Sequence, residues 1–278
     1  MTEGEPTPAA DGAGGSTAET DRAGGSTAET DGVDESTAET AGDPDEAYAD
    51  LGATTENAME IAETSMDIVR QFVPDETLAD RIRQKSVHSM GDIEFQHLIE
   101  FTGADGVGAD EDAPVRAGAR AVLDEAPIVT DITMVKAGVT GRGHDCEVSK
   151  AIGHGTELAE KTGMTRTAAA MLELDKDGRF EDAIVTIGNA PTAAFALADC
   201  IENGTRPAVV LAHPVGFVKA EESRERIREV SREHDVPAIT HVGRRGGSGL
   251  AAALTNELIH VASDVRDGAI DIDGIASR

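Results

Sequence analysis

From about residue 155 onward, short apolar runs alternate with longer amphipathic stretches. Ala183-Ile184-Val185-Thr186-Ile187 is short and β-branched, as suits a strand buried on both faces. It breaks at Gly188, where Asn189 is placed to cap a helix with Pro191 in its first turn. A strand that delivers a helix N-terminus is a place to bind an anion. The same rhythm predicts a helix over 155–173, the strand at 182–188, a helix over 191–202 and a strand at 207–212. A helix over 220–234, a strand at 236–242 and a helix over 248–262 follow. Strands separated by helices of this length imply right-handed crossovers. The expected fold class is α/β, a parallel sheet with helices on both faces.

The earlier half is more helical. Ala58, Ile61, Ala62, Met66, Ile68 and Val69 recur at helical spacing until Pro74, predicting a helix over most of 55–72. Leu78, Ile82 and Val87 mark a second helix, which runs into Val87-His88-Ser89-Met90-Gly91-Asp92 and places His88 at a junction. Asp92 can cap a third helix carrying Ile93, Phe95, Leu98 and Ile99. Beyond a glycine-rich loop at 103–110, residues 115–123 read as a helix and 127–131 as a strand, with Met134 to Val139 continuing into a loop. From Asp11 a decapeptide is written three times with drift, DGAGGSTAET, DRAGGSTAET, DGVDESTAET. It has no apolar face to offset the entropy of ordering it, so residues 1–45 are expected to be a disordered acidic tail and 46–278 a single α/β domain.

A formal charge of −29 argues against generic nucleic-acid binding, because most of the surface repels a phosphate backbone. The absence of Trp and the single Tyr48 remove stacking surface as well. The excess of Asp and Glu over Arg and Lys resembles proteins of salt-loving organisms, where screening shortens this repulsion to a few ångströms. Cys146 and Cys200 form no CxxC pair and read as small buried apolar residues. No apolar run approaches a bilayer span and no signal peptide is evident, so the expected location is the cytoplasm, without membrane partners.

In parallel α/β sheets ligands bind outside the carboxyl ends of the strands. Here those ends lead into Asp131, Gly188-Asn189-Ala190-Pro191-Thr192, His213-Pro214-Val215-Gly216-Phe217 and Gly243-Arg244-Arg245-Gly246-Gly247-Ser248-Gly249. The last segment lacks the order of a P-loop, and no strand leads into GxGxxG, so a nucleotide-binding α/β enzyme is only an alternative. Adjacent arginines on so acidic a chain point to carboxylate recognition, since guanidinium forks match carboxylates. The histidines are scattered singly, without HExxH or a Cys/His cluster, and suggest no metal site.

Six blocks occur in the order and approximate spacing of one family. They are Val87 to Asp92; Asp131 with Met134-Val135 and Ala137-Gly138-Val139-Thr140; Thr165-Arg166-Thr167-Ala168-Ala169-Ala170; and Ile187 to Ala193. The others are Pro214-Val215-Gly216-Phe217-Val218 with Ala220-Glu221-Glu222-Ser223, and Gly243 to Ser248. Over roughly Thr54 to His260 the chain resembles the precorrin-8X (cobalt-precorrin-8) methylmutases of cobalamin biosynthesis. The resemblance implies an isomerase that moves a methyl group from C11 to C12 of precorrin-8X or cobalt-precorrin-8, giving hydrogenobyrinate or cobyrinate. It implies a 1,5-sigmatropic shift with no redox cofactor, and a homodimer with sites near the subunit interface. His88 matches the family histidine proposed to protonate the ring. Substrate contacts fall on Ser65 and Thr140 as hydrogen-bond donors, and on Arg166, Arg244 and Arg245 as carboxylate partners. Asn189, Pro191, Thr192, Gly216, Gly246 and Ser248 complete the expected rim. The alternative from another class is a module that holds tetrapyrrole acids without converting them.

Overall fold

The computed structural model describes residues 56–103, 106–107 and 110–272. The tail predicted for 1–45 lies outside them. Helix α1 (Glu56–Val69) and α2 (Leu78–Met90) come first, then a 3₁₀ turn (Ile93–Leu98), β1 (Ile99–Gly103), β2 (Gly106–Val107) and α3 (Ala113–Leu123). Next are β3 (Ile128–Thr130), α4 (Thr133–Gly138), β4 (Val148–Lys150), α5 (Thr156–Thr162) and α6 (Arg166–Lys176). The chain continues through β5 (Ile184–Ile187), α7 (Pro191–Glu202), β6 (Val209–Ala212), α8 (Ala220–Glu233), β7 (Ala238–His241) and α9 (Ser248–Arg266).

Among the described residues seven strands form one sheet in the order β2-β1-β7-β6-β5-β3-β4. The run from β4 to β7 is parallel, whereas β1 lies antiparallel to β7 with Ile99 opposite His241. Ile99, expected in a helix, is therefore the first residue of a strand. The 3₁₀ turn before it ends at Leu98, and antiparallel pairing with β7 takes over at Ile99.

Period-2 alternation sorts the core into two layers. Ile128, Ile184, Val209, Leu211 and Ile239 face α2, α3 and α9. Val129, Val185, Ile187, Val210, Ala212 and Ala238 face α6, α7 and α8. Both faces are thus covered, and the strands read as continuous apolar runs for that reason.

Two further departures from the sequence expectation have local causes. The helix expected over 155–173 is broken, because Gly163 adopts φ 73° and closes α5, and the Thr165 side chain then accepts the Ala168 N–H to start α6. Residues 133–138, expected in a loop, make the one-and-a-half-turn helix α4. Both cysteines are buried and free, as expected. No described helix is long and apolar enough to cross a membrane.

Candidate active site

Strand order reverses between β3 and β5, and the crevice at their carboxyl ends is where such sheets usually seat a ligand. Here the chain fills it with its own carboxylate. Asp131 accepts the N–H groups of Gly188, Asn189 and Ala190 at 3.2, 2.9 and 3.1 Å. Burial raises its pKa, and those N–H bonds pull the other way. Asn189 is exposed and does not cap α7; the N-cap is Ala190, without a side-chain bond. The anion seat expected after Asn189 is therefore occupied, and a nucleotide phosphate there meets a buried negative group. Gly188 is required by proximity, since a Cβ would lie 2.7 Å from the Ser248 Cα.

Beside this plug the first turns of α6 and α7 meet through hydroxyls. Thr165 Oγ1 donates to Thr192 Oγ1 at 2.8 Å, and Thr167 Oγ1 lies 3.1 Å from the same atom. Pro191 occupies the first helical position, and Arg166 stands exposed at the start of α6 rather than inside a longer helix.

The loops after β6 and β7 are stitched together from below by Arg224, a fully buried residue on α8. Its Nε donates to the His241 carbonyl at 2.8 Å, and its two terminal nitrogens donate to the carbonyls of Pro214 and Gly243. Burial and the neighbouring Arg228 draw its pKa down to about 10, which leaves it charged at neutral pH. Gly216 N–H donates to the Arg244 carbonyl at 3.2 Å and Gly247 N–H to that of His213 at 2.8 Å.

Next to Arg224 two buried imidazoles stack, His213 on His241, with Nδ1 atoms 2.9 Å apart. His241 Nε2 bonds the Arg245 carbonyl, which only accepts, so that nitrogen carries the proton. His241 Nδ1 is then the acceptor and His213 Nδ1 the donor, which leaves His213 Nε2 a bare, buried lone pair without a partner among the described residues. Burial, with Arg224 adding to it, pulls the His241 pKa to about 3. Burial also holds His213 well below 6.5, with His241 and Arg224 adding to it. Gly246 lies flat on this pair, where a Cβ would meet the His241 ring at 2.7 Å.

The two arginines of the loop diverge. Arg245 is salt-bridged to Asp92 and stacks over Phe95, so it ties the β7–α9 loop to the end of α2. Arg244 is exposed, with its guanidinium 5.5 Å over the Phe217 ring. Ser248 opens α9 beside them and is half-buried.

His88 stands in the last turn of α2, four residues before Asp92. Ser65 Oγ on α1 bonds its Nδ1 at 2.7 Å, and Ser65 lines a shallow depression along α1 with Ile61, Thr64 and Ile68. Burial, and next the Lys85 ammonium, lower the His88 pKa from 6.5. Thr140 is not brought to the rim. Its N–H donates to Asn256 Oδ1 at 2.8 Å and its hydroxyl accepts the Arg142 N–H at 3.2 Å. Asn256 sits roughly 12 Å along α9 from Ser248. A cleft of about 850 Å³ lies at the other half of α2 and α9, lined in part by Arg81, Lys85, Glu257, His260 and Asp264. Ion pairs such as Arg81 with Glu257 at 2.8 Å already use its charges.

Arg224, His241 and Asp131 carry more of this site than the sequence suggested. For Arg224 a signal exists, because it falls in phase with Ala220, Ile227 and Val230 on the buried face of α8. A charge on an apolar stripe needs partners.

Residues 60–261 match the family described as precorrin-8X methylmutase. The chain is 34% identical over 225 residues to the cobalt-precorrin-8 methylmutase of Methanocaldococcus jannaschii, covering 77% of this chain and 99% of that one. It is 34% identical over 180 residues to the precorrin-8X methylmutase of Pseudomonas aeruginosa, covering 64% and 82%. A solved precorrin-8X methylmutase from Thermus thermophilus is similar at 32% identity with a TM-score of 0.64, covering 77% of this chain and 98% of that one.

Proposed function

The chain belongs to the precorrin-8X methylmutase family and is an isomerase of cobalamin biosynthesis, and we propose that His88 is the proton donor of its methyl shift. The substrate is precorrin-8X or cobalt-precorrin-8. The bond from C11 to the methyl group breaks as the bond to C12 forms, so the product is an isomer and no reducing equivalent is exchanged. A proton placed on a ring nitrogen draws electron density from the carbon that the methyl group leaves, and the same group takes the proton back afterwards.

The observation that carries this reading is the Ser65–His88 hydrogen bond at 2.7 Å. It fixes the imidazole through Nδ1 and leaves Nε2 as the nitrogen that meets substrate. The lowered pKa makes His88 mostly neutral in the free protein at pH 7. A macrocycle fringed with carboxylates reverses this, because negative charge beside the imidazole favours its charged form. The donor is thereby armed by the ligand it acts on.

Arg244 and Arg166, both exposed, take peripheral carboxylates, each contact contributing about 1.5–3 kcal/mol. Of the bonded hydroxyls of Thr167 and Thr192, one keeps its proton free and offers a neutral donor. Arg245, already paired with Asp92, acts by holding the loop against α2. Family resemblance and the exposed Ile61 and Ile68 on α1, with exposed Phe72 in the turn after it, support a homodimer, and the charge of −29 suits work in concentrated salt in the cytoplasm.

His88→Ala tests the reading. Absorbance after adding precorrin-8X or cobalt-precorrin-8 in high salt is expected to shift to the corrin product with the unaltered protein. The variant is expected to bind the macrocycle without converting it. Methyl migration at an unchanged rate in the variant removes His88 from the mechanism.

A further inference from the structure

The rim concentrates exposed apolar side chains on one short loop. Between β6 and α8, Val215, Phe217 and Val218 are 43%, 85% and 77% exposed. Single exposed apolar residues need no explanation, but three within four positions beside a candidate site make a patch.

The loop is not slack. Arg224 grips the Pro214 carbonyl at one end, and Gly216 N–H is tied to Arg244 at 3.2 Å. At the other end Ser223 N–H donates to the Lys219 carbonyl at 3.0 Å and Ser223 Oγ to that of Ala220 at 2.8 Å. Lys219 adopts φ 64°, a left-handed conformation that a residue with a Cβ resists. The backbone accepts that strain in turning into α8, and Phe217 and Val218 stand outward instead of folding underneath.

The charge around this tip narrows the choice of occupant. The Arg244 guanidinium lies over the Phe217 ring and pairs with no carboxylate among the described residues. An apolar face beside an uncommitted cation complements a flat ring system fringed with carboxylates better than it complements an apolar protein surface. The next residue, Arg245, joins the same loop through Asp92 to the end of α2 that carries His88.

We propose that Phe217, backed by Val218, is the platform on which one face of the tetrapyrrole macrocycle rests, while Arg244 takes one of its peripheral carboxylates. This inference rests on the methylmutase reading above. It assigns the loop after β6 to apolar contact and the loop after β7 to charge.

The test uses the full chain with Phe217→Ala and Phe217→Leu. Hydrogenobyrinate binding is followed by absorbance titration, precorrin-8X turnover by its spectral shift, and mass by sedimentation. Alanine is expected to weaken binding about ten- to hundredfold and leucine only a few-fold. The effect is expected in KM more than in kcat, with an unchanged Tm, because the side chain is exposed. A folded alanine variant with unaltered affinity and KM overturns the platform. Weaker binding accompanied by a drop in sedimenting mass also overturns it, and assigns Phe217 to contact with a second copy of the chain. If the unaltered protein neither binds nor converts the macrocycle, the methylmutase reading itself has failed, and the platform with it.

Discussion

Replacing His241 by glutamine makes the buried imidazole pair measurable. Glutamine keeps an N–H near the position of Nε2, so the Arg245 carbonyl retains a donor, while the titrating ring is gone. An unfolded histidine takes a proton near pH 6.5, whereas His241 in the folded protein resists one down to about 3. A group whose folded pKa is depressed in this way contributes stability that is complete above 6.5 and is lost as pH falls toward 3. At pH 4.5 the unfolded imidazole is protonated and the folded one is still neutral, so the loss is on the order of 3 kcal/mol relative to pH 7.5. Acid also relieves repulsion among the carboxylates, which acts in the opposite direction. Those carboxylates are the same in both proteins and cancel in the comparison. Urea unfolding of both proteins in molar KCl at pH 7.5 and 4.5 gives four free energies. The unaltered protein is expected to lose on the order of 3 kcal/mol more than the variant over that interval. Equal losses in the two proteins refute the argument that burial keeps His241 neutral in the folded protein.

Two further expectations follow from the site. If His88 acts in its protonated form as proposed, with its pKa below 6.5 in the free protein, kcat/KM is expected to be highest in acid and to fall as pH rises through that pKa. Lys85→Gln removes a nearby positive charge and is expected to move this limb to higher pH; an unmoved profile excludes His88 as the titrating group. Asp131→Ala leaves three N–H groups at the β5–α7 turn without their acceptor and is expected to cost about 2–4 kcal/mol in urea unfolding. A loss under about 0.5 kcal/mol contradicts the role of Asp131 as the plug of that turn.

Much of the second half of the fold was legible because its strands are buried on both faces and its helices on one. Residues 191–202 were predicted as a helix and form one, with Pro191 fixing its start. β1 was less legible because Ile99 follows Phe95 and Leu98 at a spacing that also suits a helix, and antiparallel pairing with β7 is a non-local matter. The break at Gly163 was missed because apolar residues stay in phase on both sides of it. At the site, His88 and the strand-end loops were readable as positions, but their internal bonding was not. Asn189 looked like a cap until Asp131, distant in sequence, took the N–H groups around it. Arg245 looked like a free cation, and the turn at Asp92 claimed it.

Arg224 has a consequence for a protein whose acidic residues outnumber its basic ones so heavily. At molar ionic strength the Debye length shrinks to about 3 Å, and ion pairs held at the surface fade. Arg224 binds uncharged carbonyls in a volume that dissolved ions do not enter, so its hold on the two loops has no counter-charge to be screened. It works as a rivet that is neither reducible, as a disulfide is, nor removable by chelation, as a metal is. The shape of the rim is thereby decoupled from the salinity of the medium, while the attraction of the rim for its ligand remains exposed to it.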